Sequence, residues 1–385
     1  MSSRLFVALA VVLAVAGMVS LGQRPVHAGE QVSASGYKVL DAIRHGSLTV
    51  FPVVAPKSFA TGEFLTLDEG LRSGDVVVTE YGNVRGLMRR RRPAVQRESG
   101  AEVNRLVLIN NSKRPLLLLA GEIVAGGKQD RVIGKDRIVL PESDPVDLSV
   151  FCVEPGRWVA SSDHFGTSGS TYSSGGIGSG SGGPVPGTLM AQPSVRAKAM
   201  ADKDQNQVWA EVRKQQASMQ VEVAAAAPSP ESTAAIDSTT SYARVMENKD
   251  VREKVDEVAK PIEQNYQSLI KQLRDRKAVG VVVAVNGRII WSDVFASTEL
   301  LEKYWPKLVR SYASEAVVTR AKGGEATLAQ ADAFLQTMDG RKETIESEPG
   351  VYRHTEVNGD GFRAFALTSL LPKTGFDVHV TKMAE

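Results

Sequence analysis

The densest set of residues able to do chemistry is Gly121-Glu122-Ile123-Val124-Ala125-Gly126-Gly127-Lys128-Gln129-Asp130-Arg131. Arg131 offers the planar fork that holds a phosphate or carboxylate by two parallel hydrogen bonds. Glu122 and Asp130 are carboxyl groups that accept from sugar hydroxyls or act as general acid or base. Lys128 and Gln129 add donors to the same few residues. Gly126 and Gly127 permit a tight turn or the close approach of a ligand. The same composition also suits a hairpin closed by an internal Glu–Arg ion pair, so a binding reading and a structural one both stand.

A second set is Phe151-Cys152-Val153-Glu154-Pro155-Gly156-Arg157-Trp158, followed by Asp163-His164. Arg157 beside Trp158 suits recognition of an anion or a flat ring by stacking; the alternative is a core tryptophan with an arginine at the strand end. Cys152 lies in an apolar run, where burial is expected and no base is assigned to it. Arg89 to Arg92 reads as a solvated loop before Pro93. His45, His164, His354 and His379 have no metal-ligand spacing, and Asn358-Gly359-Asp360-Gly361 lacks the acidic alternation of a calcium loop. No metal or cofactor set is expected. The sequence has no G-x-S-x-G, H-E-x-x-H, P-loop or complete G-x-G-x-x-G.

The elements that must position these residues follow from periodicity. Ser47 to Val54, Asp75 to Glu80, Val103 to Asn110, Pro115 to Ala120, Arg137 to Leu140 and Val146 to Val153 read as short strands separated by turn formers. Leu116 to Leu119 reads as a strand buried on both faces. Residues 47 to 158 are therefore expected to form a β-rich N-terminal unit of mostly antiparallel strands. Asp68 to Leu71 predicts a helical turn. Central helices are predicted over Asp202 to Val221 and Asn248 to Arg276, where apolar residues step by three and four. The C-terminal third predicts a mixed α/β part: an Asn286-Gly287 hairpin, helices over Leu300 to Ala316 and Leu328 to Met338, and strands over Val351 to Glu356, Phe362 to Leu370 and Phe376 to Val380. From Gly166 to Gly187, 15 of 22 residues are Gly or Ser, which predicts a flexible insertion. Residues 224 to 240, rich in Ala, Pro, Ser and Thr, are expected to be a flexible linker. The fold class is α+β.

Composition bounds the function. The 385 residues hold 46 Lys+Arg against 44 Asp+Glu, and one cysteine. A disulfide framework and cysteine-rich metal sites are excluded, and no nucleic-acid partner is expected. Residues Leu5 to Leu21 are mostly apolar, and Val26-His27-Ala28 places small residues at a cleavage position. Residues 1 to 28 read as a secretory leader, which predicts an exported protein, periplasmic or secreted. Both charges that leader removes, Arg4 and Arg24, are basic, so the mature chain is formally neutral. A retained N-terminal anchor is the alternative, and the one route to a membrane.

Four segments carry a family resemblance: Leu65-Thr66-Leu67-Asp68-Glu69-Gly70-Leu71 with Val78-Thr79-Glu80; Leu117 through Glu122 to Gly127-Lys128-Gln129-Asp130-Arg131; Cys152 to Trp158; and Asp204-Gln205-Asn206-Gln207-Val208-Trp209-Ala210-Glu211-Val212. The chain resembles the ARPP family, named for association with ADP-ribosylglycohydrolase and rhodanese-phosphatase proteins, over roughly residues 45 to 380. The resemblance implies a link to ADP-ribose metabolism but no established activity. It implies Glu80, Glu122, Lys128, Gln129, Asp130, Arg131, Glu154, Arg157 and Trp158 as ligand contacts. The leader and the Gly/Ser stretch depart from simpler members. Three functions follow for test: a module binding a small anionic nucleotide-like or sugar ligand; a hydrolase of ADP-ribose-like or sugar-phosphate substrates using Glu122 or Asp130; and a structural envelope protein.

Overall fold

The computed structural model describes residues 36–80, 105–156, 165–166, 189–226, 229–273, 276–320 and 323–385. The leader, the Arg89 to Arg92 run, Arg157, Trp158, His164 and residues 167–187 lie outside them. Strands β1 (Lys38–Val39), β2 (Ile43–His45) and β3 (Leu48–Ala55) come first. Then come β4 (Leu65–Thr66), α1 (Leu67–Ser73), β5 (Val76–Glu80), β6 (Arg105–Asn110), β7 (Leu116–Leu118) and β8 (Glu122–Gly126). Strands β9 (Arg131–Ile133), β10 (Arg137–Val139), β11 (Val146–Cys152), β12 (Phe165–Gly166) and β13 (Leu189–Met190) complete the β-rich part. The central helices are α2 (Pro193–Ala197), which runs into a π-helical turn at Lys198–Asp202, α3 (Gln205–Ala225), α4 (Pro230–Asp237), α5 (Tyr242–Glu247) and α6 (Lys249–Gln272). The chain closes with β14 (Lys277–Val285), β15 (Arg288–Phe295), α7 (Thr298–Val318), α8 (Leu328–Gln336), β16 (Gly340–Glu348), β17 (Tyr352–Gly359), β18 (Phe362–Ser369) and β19 (Asp377–Ala384). The fold is α+β.

One sheet runs β1-β3-β14-β15-β19-β18-β17-β16, with β2 on β3, and every pairing in it is antiparallel. Here the chain departs from the expected β-rich unit. Strand β3 pairs along its length with β14, from Ala55↔Lys277 to Leu48↔Val285. Period-two alternation marks a strand but not its partner. Both strands are apolar on both faces, so each needs cover on both sides. The rest of the β-rich part makes a sheet in which β12 pairs with β5 and β8, so the path β5-β6-β11-β9-β8-β12 returns to its start. A third sheet joins β10, β7 and β4.

Alternation sorts the large sheet into two faces. Val281, Val283, Trp291 and Phe295 pack with Leu300, Tyr304, Leu308 and Tyr312 of α7. Val282, Ala284 and Val294 pack with Ala331 and Leu335 of α8. The Asn286-Gly287 turn has both residues at positive φ, 50° and 78°, the type I′ geometry that matches strand twist. Residues 224 to 240, expected as a flexible linker, contain α4. Ser229 caps it by accepting from Ser232 N at 3.1 Å, Pro230 starts it, and buried Ile236 anchors it. Small-residue composition concealed a helix held by one apolar side chain.

Leu308 is fully buried between the large sheet and α6. Leu308→Ala is expected to cost about 2–5 kcal/mol. A urea midpoint lowered at constant slope checks it; a change under about 1 kcal/mol would contradict this packing.

Candidate functional site

Helix α7 is the positioning element. Its start is fixed by Ser297, whose hydroxyl accepts from Leu300 N at 3.0 Å. Residues 304, 307, 311, 312 and 315 lie on one face of it. That face is polar at the tips although most of the helix is buried. Tyr304 Oη donates to Leu117 O at 3.0 Å, and Ser311 Oγ to Ala191 O at 2.6 Å. Glu315 accepts from Ser194 Oγ at 2.7 Å and Ser194 N at 3.1 Å. Lys307 and Tyr312 lead into two buried charge networks.

The first network centres on Asp293. Arg196 holds it with two bonds, Nη1 to Oδ2 at 2.9 Å and Nη2 to Oδ1 at 3.1 Å. Trp291 Nε1 donates to Oδ2 at 3.0 Å, and Tyr312 Oη donates to the same oxygen. His379 Nε2 lies 3.2 Å from Asp293 Oδ1, and its Nδ1 lies 2.6 Å from Asp136 Oδ2. Ala120 N donates to Asp136 Oδ1 at 2.7 Å. The four ionisable side chains of this row are 0% exposed. Arg196 also stacks over Trp291, its Cζ 4.5 Å from the ring centroid. Gly121, at φ 95°, makes room for it, since a Cβ there would sit 2.6 Å from Arg196 Cγ.

Both ring nitrogens of His379 face carboxylates, which suits the doubly protonated ring. Burial works against that charge, but Asp136 and then Asp293 outweigh it and raise His379 to about 9. Burial likewise opposes the Asp293 charge, while Arg196 and His379 hold its carboxyl well below the ordinary range. Asp136 is lowered against burial by His379. The row alternates in sign and is sealed from solvent, so its role is to join layers rather than to meet a ligand.

The second network is Glu122–Lys307–Asp68. Lys307 pairs with Glu122 and, at 2.8 Å, with Asp68. Glu122 Oε2 also accepts from Leu119 N at 2.7 Å. Burial pushes the Glu122 carboxyl up, with Lys307 pulling against it. At Lys307, Asp68 and Glu122 overcome burial and hold the ammonium charged. A capping box presents Asp68: Thr66 Oγ1 accepts from Glu69 N at 3.2 Å and Glu69 Oε2 from Thr66 N at 2.9 Å.

Of the remaining sequence-predicted residues, Glu80, Lys128, Gln129, Asp130, Arg131 and Glu154 meet at the turn between β8 and β9; Arg157 and Trp158 lie outside the described residues. Glu80 Oε1 accepts from Lys128 N at 3.1 Å. Glu154 Oε2 accepts from Asp130 N at 3.1 Å. Asp130 Oδ1 accepts from Gly126 N at 3.0 Å, and its Oδ2 from Ser241 Oγ. Arg131 Nη1 lies 3.4 Å from both Gln129 Oε1 and Asp130 O. Gly127, at φ 52°, passes so close to Glu80 that a Cβ would sit 2.9 Å from its Oε1. Glu122 stands at the other end of β8, away from this turn. The Asp204 to Val212 segment supplies the brace: Gln205 Oε1 accepts from Cys152 N at 2.8 Å and its Nε2 donates to Cys152 O at 2.9 Å. Burial pushes the Cys152 thiol up to about 11, so it stays protonated and inert. No group of three His, Cys, Asp or Glu side chains among the described residues is arranged to hold a metal ion.

With the site in place, its kinship is defined. The profile of the ARG and Rhodanese-Phosphatase-superfamily-associated Protein domain matches residues 36–383. The chain belongs to the ARPP family. No curated protein and no solved structure matches it. In this ARPP chain, sequence reasoning missed Ser241, Glu247, His379, Asp293 and Arg196. A lysine on the buried stripe of α7 was the available signal for the polar networks.

The histidine sets a pH dependence. The folded value of about 9 stands above the unfolded 6.5. The stabilisation is therefore complete below pH 6.5 and is lost as pH rises through about 9, about 3 kcal/mol in all. Thermal melts across that range should show the loss, and His379→Gln should flatten it. A wild-type profile already flat across it would refute the assignment.

Proposed function

We propose that this ARPP protein binds a small anionic ligand of the nucleotide or sugar-phosphate kind at the Gly126–Asp130 turn. One observation carries the reading: two neighbouring donors there lack acceptors. No carboxylate lies within ion-pair distance of the half-buried Lys128 ammonium among the described residues. Gln129 Nε2 is buried with no hydrogen-bond partner, an arrangement that costs about 1–3 kcal/mol unless something accepts from it. The nearby carboxylates Glu80, Asp130 and Glu154 are each engaged by backbone amides of the turn. They shape the turn, and the unspent groups are donors. In this reading Arg131, with Arg157 and Trp158 beyond the described residues, completes the contact set.

A second reading, hydrolysis of an ADP-ribose-like or sugar-phosphate substrate, is favoured by Glu247. It is half-buried, and burial and then the Asp130 charge raise its carboxyl to about 7, against Arg252 and Arg244. That value suits a general acid or base near neutrality. Both readings include export, supported by the apolar Leu5 to Leu21 run and the Val26-His27-Ala28 site.

Thermal-shift measurements with ADP-ribose and ribose 5-phosphate test the site. Ligand at about 100 times Kd is expected to add about 2.7 kcal/mol, and Lys128→Ala to abolish the shift at an unchanged resting Tm. No shift with either compound would remove the binding reading; turnover lost in Glu247→Gln would select the hydrolase. The mass of the chain recovered from the producing cell is expected to begin at Gly29, and an intact leader in the mature protein would overturn export.

A further inference from the structure

The second buried histidine is used by none of this. His354 is 1% exposed, and neither ring nitrogen has a hydrogen-bond partner. It stands on β17, opposite Glu346 of β16 and Leu367 of β18. Leu367 in turn pairs with His379 on β19. The two histidines thus occupy one row and face of the large sheet, two strands apart. The Phe365 ring lies 5.9 Å from the His354 ring.

The turn between β9 and β10 lies near His354: its Asp136 and Lys135 act on the ring's charge, and β10 contacts β17. It also reaches the sheet edge through ion pairs: Lys135 with Glu346, and Arg137 with Glu346 and Glu348, each of the latter at 3.8 Å. Charges facing His354 are Asp136 and Lys135 from that turn, Glu346 from β16 and Lys203 from the turn after α2. Its β18 neighbours Leu367 and Phe365 bring none. Strand β16 is the outer edge of the sheet, and residues 340–344 are exposed. Such an edge is the part of a sheet that opens first.

We infer that His354 makes docking of the β16–β17 hairpin under the β9–β10 turn acid-labile, so that proton uptake releases the hairpin while the rest of the fold holds. The neutral ring leaves one N–H without an acceptor in this site. The imidazolium leaves two donors without acceptors and adds a buried charge. Burial lowers its proton affinity; Asp136 and Glu346 attract the proton, Lys135 and Lys203 repel it, and burial prevails. A histidine lowered on folding contributes stability above its unfolded value of 6.5, and that contribution is lost as pH falls below it. His379, raised on folding, acts in the opposite direction, so the two effects separate on the pH axis.

Hydrogen–deuterium exchange, corrected for the intrinsic effect of pH, reads this directly from about pH 7.5 to about pH 5. Protection of residues 340–359 is expected to fall by up to about tenfold per pH unit below about 6.5, the limit for one proton. Protection of Thr298–Val318 is expected to stay constant. His354→Phe, an apolar ring beside Phe365, is expected to keep the hairpin protected throughout. Loss of protection in that variant in step with wild type, loss in hairpin and α7 together, or no loss in wild type overturns the inference. If the variant does not fold, imidazole NMR of the wild type decides: His354 titrating below 6.5 supports the latch, and titration at or above 6.5 overturns it.

Discussion

Everything in this fold meets at the carboxylate of Asp293. It accepts from Arg196 twice, from Trp291, from Tyr312 and from His379. A carboxylate offers about four lone-pair positions, so this one is fully subscribed. Its donors come from α2, β15, α7 and β19, and through His379 the row reaches Asp136 beyond β9. Removing any of its ionised members, Arg196, Asp293, His379 or Asp136, strands a charge with no water to receive it, at a cost of about 3–5 kcal/mol. Apolar contacts can slide; a row of alternating charges in a sealed interior has one arrangement that works. The row thereby fixes the register between the large sheet, the central helices and the β-rich part.

The same logic sorts the polar residues by purpose. Glu122, Lys307 and Asp68 complete one another, and the buried Glu122 and Lys307 are spent on these internal partners. At the β8–β9 turn the carboxylates are spent on backbone amides, while Lys128 and Gln129 retain donor capacity. The distinction lies in what remains after internal pairing, and residue type alone does not reveal it.

Much of the fold was legible in the sequence. The leucine run at 116–119, the Asn286-Gly287 turn and the stepped apolar residues of α6 and α7 each depend on local periodicity, and each appears where expected. Pairing was not legible: β3 and β14 are more than two hundred residues apart, and both read simply as apolar strands. Strand β16, with its charged, exposed residues, carries no apolar period to find. Of the site, the grouping of Lys128, Gln129, Asp130 and Arg131 follows from their adjacency in sequence, whereas the arrival of Glu80 and Glu154 at the same turn depends on strand pairing that local pattern does not show. The separation of Glu122 was not legible, since its partners Lys307 and Asp68 lie in distant elements. Asp293 and His379 gave no sign either, because each is a lone polar residue in an apolar strand until the sheet aligns them.

The position of β19 has a consequence for assembly in time. This strand, Asp377–Ala384, is the last of the sheet to leave the ribosome, yet it lies in the interior between β15 and β18. Until it arrives, β15 and β18 each present an open edge, and Asp293 lacks its histidine. The sheet therefore closes from the middle, once β19 has been made, in a topology whose distant pairings make folding slow.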